Sequence, residues 1–203
     1  MVVRGIEHIP WLYDALMSVM DATGLSRWRR KLVAEARGAT LELGCGTGRN
    51  LPHYPENTDL VALDPDLAAL RRARRRAPGT LLVAARAEAL PFRSDRFETV
   101  VSGLVFCSVQ HPDRGLAEIR RVLAPDGELR MLEHVRHHRP SLARLQDGIQ
   151  PAWTWVTGGC HPNRDTEATV ARAGFAIDPV DRVARGVMRR FSARASSKLG
   201  PRG

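Results

Sequence analysis

The segment Leu41–Gly48, which reads LELGCGTG, is the feature that most restricts how this chain can fold. An apolar run typical of a buried strand leads directly into three glycines at alternate positions, Gly44, Gly46 and Gly48. Such glycines let the backbone turn sharply and let a ligand lie against bare peptide. A tight turn alone accounts for one or two glycines, but not for all three beside Glu42. The segment therefore predicts a strand that ends in a ligand-binding loop.

Short apolar runs and helical patterns alternate along the rest of the chain. Strands are predicted at 40–43, 60–63, 81–84, 97–102, 129–132, 175–177 and 188–195. Helices are predicted between them at 66–77 and 114–123, each followed by a proline and glycine turn. Alternation of this kind produces a mostly parallel sheet covered on both faces. We therefore predict an α/β fold with a seven-stranded, mostly parallel sheet flanked by helices.

The two ends of the chain differ from this alternating middle. Two helical patterns, at 11–20 and 28–36, precede the first strand. We therefore divide the chain into an N-terminal helical segment, 1–37, and a main domain, 38–203. Between 151 and 165 the sequence is rich in Trp, Gly, Cys, His and Pro, which predicts a structured loop.

Composition excludes several classes of protein. Hydrophobic residues make up 43% and charged residues 26% of the 203 residues, as in a globular chain rather than a disordered one. No apolar stretch approaches the roughly 20 residues that span a bilayer, and no secretory signal pattern opens the sequence. The three cysteines are far apart and lack metal-binding spacing. We expect a cytoplasmic protein without a metal site.

The charge balance is strongly basic, with 31 Lys and Arg against 22 Asp and Glu and a formal net charge of +9. Arginine-rich clusters occupy 27–31 and 71–76, and no acidic residue follows Asp181. Such a balance favours contact with polyanions, for example an anionic membrane or nucleic acid. Taken singly, each cluster is better explained as a solvated face of the protein.

Asp64 stands at the end of the second predicted strand, where a carboxylate can accept hydrogen bonds from the hydroxyl groups of a ribose. Capping of the next helix is the alternative role for this residue. The loop differs from the dinucleotide pattern G-x-G-x-x-G, because Arg49 occupies the third glycine position and Glu42 would repel a pyrophosphate. The predicted cofactor therefore carries a ribose, a base and a cationic amino-acid tail.

Residues 38–135 carry these motifs in an order that resembles the class I S-adenosylmethionine-dependent methyltransferases, whose fold is Rossmann-like. The segments 87–92 (AEALPF), 97–102 (FETVVS) and 119–127 (IRRVLAPDG) are similar to later motifs of that family. The resemblance implies S-adenosyl-L-methionine as the cofactor and a lid over it formed by the N-terminal helical segment. The residues to which it assigns cofactor binding are Glu42, Gly44, Cys45, Gly46, Gly48, Asn50, Asp64, Pro65, Ala87, Glu88, Ser102 and Gly103.

The segment after the fourth predicted strand bears on the methyl acceptor. It lacks the Asn/Asp-Pro-Pro-aromatic signature that usually marks methylation of amino groups on bases, and 103–109 (GLVFCSV) is an apolar wall instead. The segments 131–135 (MLEHV) and 151–164 resemble the quinone and sterol type of small-molecule methyltransferase, and within it the alkyl-thiol S-methyltransferases. The resemblance implies methyl transfer to a small, largely apolar acceptor, with a thiol among the candidates.

Two other functions stay open at this point. One is methylation of a phospholipid headgroup or a quinone, and the other is an RNA-binding or RNA-modifying role suggested by the charge alone. For partners we expect a small-molecule acceptor and a peripheral contact of the basic surface with an anionic membrane. We expect neither a transmembrane segment nor a nucleic-acid partner.

His134, at the end of the fifth predicted strand, is the candidate base that converts a thiol to the reactive thiolate. Orientation of a loop is an equally weighted role for it. Tyr13 resembles the lid tyrosine of the family and is assigned a catalytic role at the cofactor or acceptor. The residues assigned to the acceptor are Trp11, Phe106, Cys107, Trp153, Cys160 and His161. Both cysteines are predicted to pack in the pocket wall and loop rather than to act as nucleophiles.

Overall fold

The computed structural model describes residues 9–157 and 159–196, with elements numbered in chain order. The helices are α1 (Pro10–Met20), α2 (Ser26–Val33), α3 (Leu67–Arg76), α4 (Pro112–Val122), α5 (Pro140–Thr157) and α6 (Thr166–Arg172). The strands are β1 (Ala39–Leu43), β2 (Asp59–Asp64), β3 (Leu81–Ala84), β4 (Phe97–Gly103), β5 (Leu123–His134), β6 (Phe175–Ile177), β7 (Val183–Arg185) and β8 (Met188–Ala195). A π-helical segment, Asp21–Leu25, joins α1 to α2, and a short 3-10 helix, Leu51–His53, follows the glycine loop.

The strands form one sheet in the order β3-β2-β1-β4-β5-β8-β6, with β7 paired to β8 beside this path. Strands β1 to β5 are parallel, and β8 is antiparallel to its neighbours β5, β6 and β7. The arrangement confirms the predicted α/β fold with a mostly parallel sheet. The sheet of the described residues has eight strands rather than the predicted seven, because β7 is a three-residue strand whose exposed residues form no apolar run.

The central strands are apolar on both faces because helices cover both sides of the sheet. Val100 and Val101 are adjacent in β4 and fully buried, so their side chains point to opposite faces. Val100 belongs to the core cluster that contains Leu116 of α4, whereas Val101 packs in the cluster of Leu32 from α2. Burial on both faces explains why the parallel strands read as short continuous apolar runs in the sequence.

The strand order reverses at β1, which lies between β2 and β4. In open α/β sheets, ligands bind outside the carboxyl ends of the strands at such a reversal point. Gly44 directly follows β1, Asp64 ends β2 and Gly103 ends β4. The fold therefore brings these three predicted site residues to the same edge of the sheet.

Helix α5 continues to Thr157, so the loop predicted at 151–165 is wrong in its first part. Pro151 accounts for the error, because a proline inside a helix removes a backbone hydrogen bond and costs roughly 3 kcal/mol. The last turn of the helix is tied to the segment beyond it, since Thr154 Oγ1 donates a hydrogen bond of 2.8 Å to the backbone oxygen of Cys160. The irregular segment begins only after this turn.

The N-terminal helices are attached to the sheet through α2. Gly24 has a φ of +117° and breaks the helical path between α1 and α2, a conformation that glycine adopts without strain. Leu32 and Val33 of α2 are fully buried against the sheet. The buried guanidinium of Arg130 in β5 donates from Nε to the backbone oxygen of Leu32 (2.9 Å) and pairs with Glu128 (2.8 Å). Packing and a buried arginine thus fix α2 to the sheet.

Candidate active site

The three glycines of the loop after β1 have positive φ angles, +59° at Gly44, +53° at Gly46 and +80° at Gly48. A Cβ atom at Gly44 would lie 2.6 Å from Cγ2 of Val105, and one at Gly48 would lie 2.9 Å from Cα of Ala73. These two positions require glycine because other parts of the chain pack against them. A Cβ at Gly46 would meet no atom within 4 Å, so the middle glycine borders open space. That open space is where a ligand can lie against the peptide.

Asp64 is joined directly to this loop. Its Oδ2 atom accepts the backbone N–H of Gly46 (2.9 Å), and its Oδ1 atom accepts that of Asp66 (2.8 Å). Burial raises the pKa of the Asp64 carboxyl, although these two N–H groups oppose the shift. Helix α3 is capped by Asp66, whose Oδ1 accepts the N–H of Ala68 (2.7 Å), so capping is not the role of Asp64. A carboxylate has about four acceptor positions, which leaves room for ribose hydroxyls.

A chain of buried hydrogen bonds runs behind the loop. Asn50 Nδ2 donates to Glu42 Oε1 (2.8 Å), and Arg29 Nη1 donates to Asn50 Oδ1 (3.0 Å). Burial raises the pKa of the Glu42 carboxyl to about 7, against the hydrogen bond from Asn50. Arg29 is only 4% exposed and pairs with Asp21 (3.0 Å). The prediction that the arginine-rich cluster 27–31 forms a solvated face is therefore wrong for this residue. This buried cation was not predicted from the sequence.

A cavity at the carboxyl edge of the sheet combines these groups. The residues that line it are Arg29, Gly44, Cys45, Gly46, Thr47, Arg49, Asn50, Gly103 and Leu104. Exposed backbone of the loop after β1 and of the end of β4 forms one part of this lining, and the buried guanidinium of Arg29 from α2 forms another. The cavity therefore offers hydrogen-bond donors and one buried positive charge to a ligand.

Asp14 connects helix α1 to the glycine loop and to α3. Its carboxylate accepts a hydrogen bond from Thr47 Oγ1 (2.6 Å) and pairs with Arg49 (3.1 Å), Arg72 (3.2 Å) and Arg76 (3.6 Å). Burial alone would raise the pKa of the Asp14 carboxyl. The hydrogen bond from Thr47 and the charges of Arg76 and Arg49 together lower this pKa by more, so the net shift is downward. The N-terminal segment is thus held against the cavity by charge.

A signal for this contact was present in the sequence. Asp14, Ser18 and Asp21 are spaced at i, i+4 and i+7, so they form one polar stripe along the N-terminal helices. Arg49 bonds to all three, with Nη2 donating to Ser18 Oγ (2.8 Å) and Nη1 pairing with Asp21 (2.6 Å). A polar stripe on a mostly apolar helix marks the side that faces a charged partner.

Glu133 organises the loop after β4. Its buried Oε1 atom accepts the backbone N–H groups of Val105 and Phe106 (both 3.0 Å) and lies 3.4 Å from Ser102 Oγ. Burial raises the pKa of the Glu133 carboxyl to about 7, although the two N–H groups oppose the shift. Leu104, which lines the cavity, has a φ of +62°, a strained conformation for a side chain of this type. The carboxylate stabilises that bent backbone by bonding the two residues that follow it.

The structure places two of the residues predicted near the acceptor, Cys107 and Cys160, in buried positions. The side chain of Cys107, and after it those of His134 and Trp153, lower the pKa of the Cys160 thiol, whereas burial raises it. The backbone N–H of His161 donates to the backbone oxygen of Cys107 (2.8 Å), which joins the segment after α5 to the loop after β4. Among the described residues, no group of three or more His, Cys, Asp or Glu side chains could hold a metal ion.

Other predicted site residues lie elsewhere. Ala87 is buried in the main core cluster, Glu88 accepts a backbone N–H at the start of α4, Pro65 is exposed, and Trp11 is 62% exposed. None of these four lines the cavity described above. Tyr13 lies in α1, but its side chain falls outside the described part of the structure. The assignment of these five residues to cofactor, acceptor or catalysis stays a prediction.

Comparison with known proteins identifies the family. The model for the methyltransferase domain matches residues 41–131. Thiol S-methyltransferase TMT1B of Homo sapiens is 34% identical to this chain, over 87% of this chain and 78% of the length of the relative. The TMT1B of Rattus norvegicus is 36% identical, over 66% of this chain and 59% of the length of that relative. Demethylmenaquinone methyltransferase of Renibacterium salmoninarum is 36% identical over 65% of this chain and 58% of its own length. This chain belongs to the S-adenosylmethionine-dependent methyltransferases.

A solved structure supports the fold of this methyltransferase. An S-adenosylmethionine-dependent methyltransferase from Mesorhizobium loti matches it with a TM-score of 0.58 at 20% identity, covering 83% of this chain and 96% of that chain. At this level of identity the likeness establishes the fold alone. It confirms the Rossmann-like arrangement of sheet and helices.

S-adenosylmethionine is the cofactor of this family, and the chemistry of the cavity fits it. The buried guanidinium of Arg29 would hold the carboxylate of the amino-acid tail, and Asp64 would accept the ribose hydroxyls. The open space at Gly46 would let the cofactor lie against the peptide. When bound, the cofactor supplies an electrophilic methyl group on a sulfonium.

Replacement of Gly46 by leucine is expected to weaken S-adenosylmethionine binding by more than about tenfold, or about 1.4 kcal/mol, because the side chain would fill the open space. Gly186 gives a matched control, since its φ is +57° and a Cβ there also meets nothing within 4 Å, yet it does not line the cavity. Isothermal titration of Gly46→Leu and Gly186→Leu with the cofactor measures the difference. Equal affinities would show that the glycine loop does not hold the cofactor.

Glu133 predicts a pH dependence of stability. Its pKa rises from 4.5 to about 7 on folding, so its contribution is fully present below pH 4.5 and is lost as the pH rises through 7. The loss amounts to about 3 kcal/mol. Glutamine does not ionise, so Glu133→Gln should flatten the fall in the free energy of unfolding between pH 5 and 8. Denaturant titration against the exposed control Glu56→Gln tests this, and an unchanged slope would contradict it.

Proposed function

We propose that this methyltransferase transfers the methyl group of S-adenosylmethionine to a small, largely apolar thiol. The observation that carries the proposal is the apolar segment after β4, in which the buried Phe106 and Cys107 follow the cavity-lining Leu104, with His134 at the end of β5. The imidazole lies next in sequence to Glu133, which holds the apolar loop after β4. The similarity to thiol S-methyltransferases supports the same class of acceptor.

The apolar loop would exclude water from the reacting groups. Leu104 lines the cofactor cavity, and Phe106 and Cys107 continue the same segment as buried residues. Methyl transfer to a thiolate needs alignment of the two sulfur atoms and removal of water more than it needs acid catalysis. In this proposal the chain supplies an apolar wall, and His134 takes the proton from the acceptor thiol.

We also propose that the N-terminal segment, 1–37, acts as a lid over the cofactor, with 38–203 as the methyltransferase domain. The support comes from the described part of that segment, in which Asp14 and Asp21 bond to Arg49 of the glycine loop. Arg29 extends from the same segment into the cavity. A lid held by charged contacts keeps water from the sulfonium while it can still open for exchange.

The acceptor class is tested by S-adenosylhomocysteine release with an alkyl thiol, a quinol that lacks its ring methyl group and phosphatidylethanolamine vesicles. We expect the alkyl thiol to give the highest kcat/KM, with a rate that rises with pH as the thiol ionises. A higher kcat/KM with the quinol would support the activity of the demethylmenaquinone relatives instead. A higher rate with the vesicles would support headgroup methylation.

A peripheral contact with an anionic membrane is a second proposal, and helix α5 favours it. Apolar side chains at helical spacing are exposed along this helix: Leu142, Leu145, Ile149, Trp153 and Val156. An apolar helix face on a chain of net charge +9 is typical of helices that lie in the interface of an anionic bilayer. No helix of the described residues is long and apolar enough to cross a membrane.

Substitution of two of these side chains tests the membrane contact. The variant Leu145→Ser with Ile149→Ser should sediment less with phosphatidylglycerol vesicles than the parent, because it removes apolar area from the helix face. Val180→Ser is the control, since Val180 is exposed but lies outside α5. Binding should also weaken as salt rises. Equal sedimentation of both variants and the parent would exclude α5 as the contact.

A further inference from the structure

We propose that the cavity between the start of α4 and helix α6 binds the anionic group of a small ligand, a carboxylate or a phosphate, and that Arg164 and Arg172 hold this group. The cavity is separate from the cofactor cavity, because the two share no lining residue. Its volume is about 220 Å³. That volume suits an oxyanion with a short apolar part rather than a drug-sized ligand.

The lining of this cavity carries an excess of positive charge. Arg164 and Arg172 both line it, and neither pairs with a carboxylate of the described residues, whereas Arg182 nearby in the chain pairs with Glu167 (2.6 Å). Among the described residues of the lining, Asp165 is the one acid. Its Oδ1 atom accepts the backbone N–H at position 168 (3.1 Å), so it serves as the cap of α6. Two guanidinium groups against one carboxylate favour an anionic ligand.

Arg164 is fixed at the cavity and keeps donors for a ligand. Its Nη1 atom donates to the backbone oxygens of Phe106 and Val109 (both 2.6 Å). Its Nε and Nη2 atoms have no hydrogen-bond partner among the described residues. The planar fork of a guanidinium matches two oxygen atoms of a carboxylate or phosphate. Burial lowers the pKa of Arg164, and a bound anion would offset part of the cost of burying this charge.

The other lining residues suit the same kind of ligand. Thr166 is 3% exposed, and its Oγ1 atom has no hydrogen-bond partner among the described residues. An unpaired buried hydroxyl is unfavourable, and rotation about χ1 would let it donate to an oxygen atom of the ligand. Phe106 and Pro112 also line the cavity and supply apolar surface for the carbon atoms beside the anionic group.

The same contacts connect the cavity to the acceptor side of the protein. Phe106 donates its backbone N–H to Glu133 (3.0 Å) and accepts a hydrogen bond from Arg164 at its backbone oxygen. An anion bound to Arg164 would therefore act on the loop after β4. Arg172, by contrast, is exposed, and its Nη2 atom donates only to Thr169 Oγ1 (3.0 Å) among the described residues. Its replacement leaves the loop contacts in place, which makes it the position to test.

Titration with inorganic phosphate tests the site without any acceptor. We expect Arg172→Gln to weaken phosphate binding by about tenfold, measured by isothermal titration at constant ionic strength, because one of two charge-assisted contacts is lost. Arg172→Lys keeps the charge and should lose less affinity than Arg172→Gln. Arg75→Gln is the matched control, since Arg75 is exposed in the last turn of α3 and does not line the cavity. Equal affinities of Arg172→Gln, Arg75→Gln and the parent would overturn the inference, as would a parent that binds no phosphate at millimolar concentration.

Kinetics distinguish two sources of the anionic group, the methyl acceptor itself and a separate small ligand. This arm rests on the proposed thiol acceptor and compares an uncharged alkyl thiol with a mercapto acid of the same chain length. If the acceptor carries the anion, the ratio of kcat/KM for the mercapto acid to that for the uncharged thiol should fall by about tenfold in Arg172→Gln but not in Arg75→Gln. If a separate ligand carries it, the ratio should be the same in all three proteins. Added phosphate should then change kcat/KM of the parent for both thiols, and that of Arg172→Gln much less.

Failure of this inference differs from failure of the proposed function. A parent that methylates neither thiol would refute the thiol acceptor, and the phosphate titration would still decide the anion site. Phosphate affinities that do not depend on Arg172 would overturn the anion site and leave thiol methylation intact.

Discussion

The contact between Gly44 and Val105 is the constraint on which both halves of the site depend. The 2.6 Å approach of Val105 to the place of a Cβ requires glycine at the end of β1, and Glu133 holds the N–H of Val105 from the end of β5. Three parallel strands therefore fix one another at their carboxyl ends. The glycine loop lies on one side of this contact and the apolar loop after β4 lies on the other, so a shift of one loop would disturb the other.

The arginines of this protein serve internal contacts as well as its surface. Arg49, Arg72 and Arg76 pair with Asp14 of the N-terminal segment. Arg29 is buried in that segment, and Arg130 is buried in β5, against which the segment packs. A guanidinium suits these positions because its fork of donors can bond to several oxygen atoms at once. The net charge of +9 therefore overstates the basic surface that is free to meet a polyanion. This reduces the support that the charge alone gives to any polyanionic partner, and the proposed membrane contact therefore depends on the exposed apolar face of α5.

Local sequence patterns were sufficient to predict the sheet. They did not predict the contacts between charged residues that are distant in the sequence. The runs at 175–177 and 188–195 were found because buried strands are marked by their own apolar residues. The loop predicted at 151–165 begins too early because the hydrogen bond that ties down the last turn of α5 joins the Thr154 side chain to a backbone oxygen six residues further along. Asp14 and Arg29 were missed as parts of the site because neither hydrophobic periodicity nor the polar stripe of the N-terminal helices shows which distant partner a charged residue meets. The glycine spacing was sufficient to locate the loop.

The two roles predicted for His134, proton acceptor and loop-orienting residue, both belong to the end of β5, next in sequence to the buried Glu133. The glycine loop and Asp64 are parts that methyltransferases of many acceptors can share, since fold does not determine the acceptor. Cys160 and His134 come from the segment after α5 and the end of β5, outside that shared part. Specificity for a thiol would therefore depend on where α5 ends, because its last turn is bonded to the backbone of Cys160.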